Sequence, residues 1–291
     1  MFALLTLTGN AIAKNGILII AHGSPAQAWN HRVLRVGAET DSLREVRANS
    51  RFEGIKIAFL EFAEPRISQQ LKEFQEEGYD QVVVMPLLIA PSQHSQLDLL
   101  TLLGLYSEPK QAATIEAEGG GIYRGELSLI VGPTLEHSNL LELSALDRVH
   151  ELSSNPDEEA LVILAHGDRQ TGPVWNDLCR RVGAHICGKT GITWFDWALV
   201  EMGQSFYSEG LSTIYRAGKA RPAVLVIGLY LSMGVDRLAS RWGQLTLHGD
   251  DQPRRPLQGV NVKFSRRGVL PDSRVSAWIL NQAEAMLNDN D

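Results

Sequence analysis

The chain has 291 residues, 44% of them hydrophobic, and a formal net charge of −7. That composition supplies a full core and excludes a disordered chain, and the acidic balance gives a nucleic-acid partner little electrostatic support. At roughly 100–200 residues per domain the length points to two domains, and no run reaches about 18 apolar residues, so no membrane span is expected.

The first 13 residues, MFALLTLTGNAIA, read two ways. The short apolar run ending in AIA is either the remnant of a secretory leader, placing the protein outside the cytoplasm, or a frayed segment before the first strand of a cytoplasmic protein. GILIIA (16–21) is a buried strand that stops at Ala21-His22-Gly23-Ser24-Pro25. Trp29, Val33, Val36, Leu43 and Val46 then recur at helical spacing within 25–48. IKIAFLEF (55–62) is a strand. Pro65 opens a helix striped by Ile67, Leu71 and Phe74 and closed by Gly78. QVVVMPLLIA (81–90) and LSLIV (127–131) are further strands, the latter followed by a helix over 138–152. Fully apolar strands separated by helices imply a parallel sheet covered on both faces. Its strand C-terminal ends share one edge, where open α/β sheets bind ligands.

The polar, turn-rich SSNPDEE (153–159) reads as a linker, after which the pattern restarts. ALVILA (160–165) matches ILIIA, and WFDWALVEM (194–202) matches KIAFLEFA. AVLVIGLYLSMGVDRL (223–238) matches VVVMPLLIAPSQHSQLDL, and VNVKFSRRGVLPDS (260–273) matches LSLIVGPTLEHS. The offset stays at about 140–144 residues, the mark of an internal duplication. Two lobes are therefore expected, over residues 14–154 and 155–291. Cys179 and Cys187 fall in a predicted helix about 12 Å apart, too far for a disulfide, which needs Cα atoms within about 7 Å. Free thiols are expected.

Three residues of the first half fall at or beside strand ends: His22 after the first strand, Glu61 near the end of the second, and His94 just past the third. A histidine after a strand is ordinarily a turn or core residue, and Glu61 or His94 alone could be merely solvated. Three such groups on one sheet edge are harder to dismiss, because two imidazoles and a carboxylate suit a divalent first-row metal. In the second half His166 matches His22 and Glu201 matches Glu61, but Asp236 takes the place of His94. The complete set belongs to the first half, with His166, Glu201 and Asp236 as secondary candidates. His31 is placed near the rim of the cleft and His137 by the end of the fourth strand. His150, His185 and His248 read as surface residues. Histidine phosphatases also place a histidine after a first strand, but they need an arginine before it to clamp phosphate; Ala21 and Ala165 stand there.

ILIIAHGSP, FLEFAEP, VVVMPLLIAPSQH and VGP, in this order, resemble the sirohydrochlorin chelatase family, the CbiX/SirB-type class II tetrapyrrole chelatases, in its long two-lobe form. The resemblance implies two Rossmann-like α/β lobes with parallel sheets flanked by helices, facing each other across a cleft. It implies a lyase of siroheme or cobalamin biosynthesis that inserts Co²⁺ or Fe²⁺, or Ni²⁺ in some relatives, into sirohydrochlorin. His22, Glu61 and His94 match that family's metal-handling positions. The metal is then a substrate, and no organic cofactor is implied; no Walker-type phosphate loop is present. The expected partner is a tetrapyrrole, as monomer or homodimer, with Arg32, Arg66, Arg169 and Arg237 as candidates for its carboxylates. The sequence departs from the family at Asp236, at the linker-like insertion EPKQAATIEAEGGGIYRG (108–125) and at the leader-like start. A second reading is a non-catalytic metal- or tetrapyrrole-binding protein of the same fold.

Overall fold

The computed structural model describes residues 13–117, 121–238 and 260–288; the N-terminal leader question and His248 lie outside them. The elements run β1 (Asn15–Ala21), α1 (Gln27–Val46), β2 (Gly54–Phe59), α2 (Ile67–Glu76), β3 (Gln81–Pro86), α3 (Leu99–Leu102), α4 (Pro109–Ala117), β4 (Ser128–Val131) and α5 (Leu140–Leu152). They continue with β5 (Glu159–Ala165), α6 (Gly172–Thr190), β6 (Trp194–Leu199), α7 (Leu211–Ala220), β7 (Ala223–Leu229), β8 (Asn261–Phe264) and α8 (Ser273–Asn288).

The strands form two four-stranded sheets, β2-β1-β3-β4 and β6-β5-β7-β8, parallel throughout. The repeat extends to register: Ala21 pairs with Phe59 and Ile20 with Pro86, while Ala165 pairs with Leu199 and Leu164 with Gly228. Strands β1 and β5 sit in different sheets. Each is fully buried, and its alternate side chains serve two cores. Ile17, Ile19 and Ala21 join Leu161, Ile163 and Ala165 in one core shared by both halves. Leu18 and Ile20 face a core confined to the first half, and Ala160, Val162 and Leu164 face one confined to the second. This division explains why both strands read as unbroken apolar runs.

The last helix of each half crosses over. Helix α8 packs on α1 and β3, and α5 packs on α6 and β7. Arg47 pairs with Glu284 and donates to Asn281 at 2.7 Å; Arg181 pairs with Glu142. At the centre of the second contact Arg148 is fully buried and donates to the Gly228 carbonyl at 2.5 Å and the Ser144 carbonyl at 3.0 Å. Burial lowers its pKa to about 10, so it stays charged near neutral pH. Arg148→Ala forfeits the bond across the halves and opens a large void. It is expected to destabilise the protein by about 2–4 kcal/mol in chemical denaturation. An unchanged midpoint would show that α5 docks without it.

Two segments are more ordered than their sequence suggests. The stretch 153–159 is a pinned turn. Glu159, 1% exposed, accepts hydrogen bonds from Ser153 Oγ at 2.5 Å, Ser154 N at 2.8 Å and Asn155 N at 3.3 Å. Burial opposes its charge, but these bonds outweigh it and hold the carboxyl below its usual range. The insertion 108–125 carries helix α4, seated by buried Ile115 and Tyr123. The runs 55–62 and 81–90 are strands only to Phe59 and Pro86. Pro86 brings no amide N–H to continue a ladder. After Phe59 only the Leu60 and Glu61 amides still bond alongside the first strand's end, and Phe62 then turns the chain at φ 59°.

Candidate metal centre

Parallel topology brings the ends of β1, β2 and β3 to one edge. His22 is the first residue beyond β1, and its carbonyl accepts the Glu61 amide at 3.0 Å. That bond fixes the loop after β2 against the loop after β1. Gly23 makes the approach possible. It has φ +93°, and a Cβ there would lie 1.8 Å from the Glu61 carbonyl oxygen. His94 opens a π-helical turn, His94–Asp98, that leads into α3.

The result is a cluster of His22, Glu61 and His94 in which one ligand atom from each lies within 4.8 Å of the others. Ligands about 2.1 Å from one metal lie within roughly 4.2 Å of each other, so the set is close enough to share an ion after small side-chain movements. The His22 and His94 rings meet edge-on with centroids 4.7 Å apart. His22 Nδ1 lies 3.0 Å from the Gly23 carbonyl, which can only accept, so Nδ1 carries the proton and Nε2 the lone pair. That Nε2 sits 2.8 Å from Glu61 Oε1. Two electron-rich atoms at this distance need a cation between them, a proton or a metal ion. Burial lowers the pKa of His22 despite the raising effects of the Gly23 carbonyl and Glu61, and the nearby charges of His94 and His166 push the same way as burial.

His94 is oriented differently. Its Nδ1 donates to Asp98 Oδ2 at 2.8 Å, leaving Nε2 for a metal. The Asp98 hydrogen bond raises the pKa of His94 against the effect of burial, with the Asp98, Glu61 and Asp168 charges adding to the rise. A carboxylate behind a ligating imidazole fixes the tautomer and the ring's direction. Sequence reasoning missed Asp98; the signal that marks it is its spacing of four from His94, which puts both on one side of a helical turn.

The second half supports the first without duplicating its cluster. His166 repeats the backbone pattern of His22: its Nδ1 donates to the Gly167 carbonyl at 2.7 Å, and its own carbonyl accepts the Glu201 amide at 2.8 Å. Among the described residues, however, His166, Glu201 and Asp236 do not form a ligand group, and Asp236 Oδ1 is buried without a hydrogen-bond partner. Helix α6 instead reaches the loop before His94. Thr171 Oγ1 and Trp175 Nε1 donate to the Pro91 carbonyl at 2.6 and 2.9 Å, and Asp168 accepts the Gln93 amide at 3.3 Å. Thr171→Val combined with Trp175→Phe is expected to loosen that loop and so weaken any divalent-metal binding at the cluster roughly tenfold, with Co²⁺ as the probe. Calorimetric titration with Co²⁺ checks this, and an unchanged affinity would count against the support.

Arg32 Nη1 donates to Ser232 O at 3.0 Å and Ser232 Oγ at 2.8 Å, a contact that ties the two halves together. His185 is half-buried rather than on the surface, and its Nε2 lacks a partner. Cys179 and Cys187 are free, and burial pushes the Cys179 thiol up to about 12. Beside the cluster lies a cavity of about 660 Å³, lined by Glu61, Phe62, Arg66, His94, Asp98 and, from α4, Gln111. No helix among the described residues is long and apolar enough to cross a membrane.

Two parallel sheets of identical strand order, with imidazoles and carboxylates gathered at the strand ends, define a duplicated chelatase-like α/β protein with a set of side chains able to hold a divalent metal. The family model described as CbiX matches residues 16–152. A sirohydrochlorin cobaltochelatase of Saccharolobus islandicus is 32% identical over 96 residues, which cover 33% of this chain and 69% of that protein. One of Methanococcus maripaludis is 27% identical over 90 residues, 31% of this chain and 58% of that protein; the match thus spans less than two thirds of the latter's length. A structure of the sirohydrochlorin chelatase SirB from Bacillus subtilis subspecies spizizenii, in complex with cobalt, aligns with a TM-score of 0.61. It covers 95% of this chain and 96% of that one at 15% identity, a likeness of fold. This chain belongs to the CbiX/sirohydrochlorin chelatase family.

Proposed function

We propose that the protein inserts a divalent metal, Co²⁺, Fe²⁺ or Ni²⁺, into a tetrapyrrole such as sirohydrochlorin, with His22, Glu61 and His94 as the metal-handling and catalytic residues. The observation that carries this reading is the convergence of one ligand atom each from His22, Glu61 and His94 within 4.8 Å of one another, a set that can hold a divalent metal. Two imidazoles and one carboxylate, without thiolate, bind first-row metals and can release them again. Insertion displaces two pyrrole N–H protons. A neutral His22 can ligate the metal or take up a proton, and Glu61 offsets the metal's charge and passes a proton outward. The reaction asks for no organic cofactor. In this reading the chain divides at residues 154/155 into two lobes, and the second lobe holds the His94 loop and faces the substrate with His166.

The test is a turnover assay with sirohydrochlorin and each of Co²⁺, Fe²⁺ and Ni²⁺, following loss of free-base absorbance. Many turnovers per chain with at least one metal are expected. Loss limited to one equivalent, or none, would make the protein a binder of metal or tetrapyrrole.

A further inference from the structure

Helix α4 of the first half touches the candidate centre. Glu108 caps α4, accepting the Lys110 amide at 3.1 Å and the Gln111 amide at 2.7 Å. Ile115 and Tyr123 anchor the segment in the first-half core, and the Tyr123 hydroxyl donates to Gln75 Oε1 at 2.6 Å. From this seat Gln111 Nε2 donates to Asp98 Oδ1 at 2.5 Å, while Asp98 Oδ2 accepts from His94 Nδ1 at 2.8 Å.

We propose that Gln111 is a positioning residue for His94, acting through Asp98, and that α4 is thereby part of the metal centre. The inference rests on the metal-site reading above. A carboxylate held by one oxygen can still turn about its Cβ–Cγ bond, and the imidazole bonded to it turns with it. Holding both oxygens fixes the carboxylate plane, and the ring that donates to it can then present Nε2 in only one direction. Asp98 has each oxygen engaged, one by the ligand histidine and one by the insertion helix. The second half has Asp236 at the place of His94 and Ser240 four residues on, so it has neither the imidazole nor the carboxylate of this chain of contacts. The relay thus follows the complete cluster.

The experiment titrates the full chain with Co²⁺ alone, reading affinity and the visible d–d absorption bands. Gln111→Met keeps the shape and removes the donor; Gln111→Lys restores a donor to Asp98; Lys110→Ala changes an exposed neighbour on the same helix. Gln111→Met is expected to bind Co²⁺ roughly tenfold more weakly and with altered bands. Gln111→Lys should recover both, and Lys110→Ala should match the unsubstituted chain. Unaltered affinity and bands in Gln111→Met, beside normal Co²⁺ binding by the unsubstituted chain, would overturn this inference alone. So would equal loss in the Met and Lys variants, which would mark Gln111 as a packing residue. An unsubstituted chain that takes up no Co²⁺ would overturn the metal-site reading and this inference with it.

Discussion

His94→Ala is expected to lose metal insertion almost completely, and to weaken Co²⁺ binding by at least the roughly 100-fold that loss of a supporting partner alone can cost. His166→Ala is expected to keep most of both. His94 brings one of the two imidazoles of the cluster, with its Nε2 left free by the bond to Asp98. His166 has the same backbone setting as His22 but is in no ligand group with Glu201 or Asp236. Its Nδ1 is tied to the Gly167 carbonyl, so a change of no more than a few-fold is expected. Both side chains are partly exposed at strand-end loops, and neither belongs to the hydrophobic cores. Circular dichroism should therefore be unchanged in each variant. Equal losses of initial rate would mean that the halves act jointly at one central site. Loss in His166→Ala alone would move the chemistry to the second half.

The fold was legible because its strands are covered on both faces, so burial is written as unbroken apolar runs at 16–21, 82–85, 160–165 and 224–227, and because the runs recur at nearly constant offset. Parallel pairing then places His22, Glu61 and His94 on one edge whatever the loops between them do. What escaped depends on contacts between distant segments. The exchange of α5 and α8 leaves no mark in periodicity, since a helix's apolar stripe does not say which sheet it meets. Glu159 looks like one more acid in a polar stretch until Ser153, Ser154 and Asn155 fold back on it. Gln111 sits in a segment whose composition suggests a linker, and its role depends on a bond to a residue 13 positions away. Arg32, read as a candidate for substrate carboxylates, also bonds to Ser232, 200 residues on.

Gly23→Ala should damage the site more than its mirror image Gly167→Ala, although both glycines follow a strand-end histidine at positive φ, +93° and +78°. The backbone strain is comparable, about 1–3 kcal/mol for a side chain in that region, so both variants should lose similar stability from that source. The surroundings differ. A Cβ at Gly23 would meet the backbone oxygen of Glu61 at 1.8 Å, whereas one at Gly167 would meet the Leu199 side chain at 2.8 Å. The Leu199 contact, made by its Cβ, is an ångström longer than the Glu61 one, and a small shift at the end of β6 relieves it without moving any residue of the cluster. The Glu61 carbonyl can yield only by moving the loop, and that loop holds the carboxylate 2.8 Å from His22 Nε2. Gly23→Ala should therefore break the His22–Glu61 juxtaposition and lower Co²⁺ affinity on the order of tenfold or more, with Gly167→Ala close to the unsubstituted chain. The measurements are Co²⁺ titration and thermal unfolding of both variants side by side. Equal affinities despite equal destabilisation would show that the placement of Glu61 does not depend on its packing against Gly23, and that the cluster tolerates a displaced carboxylate.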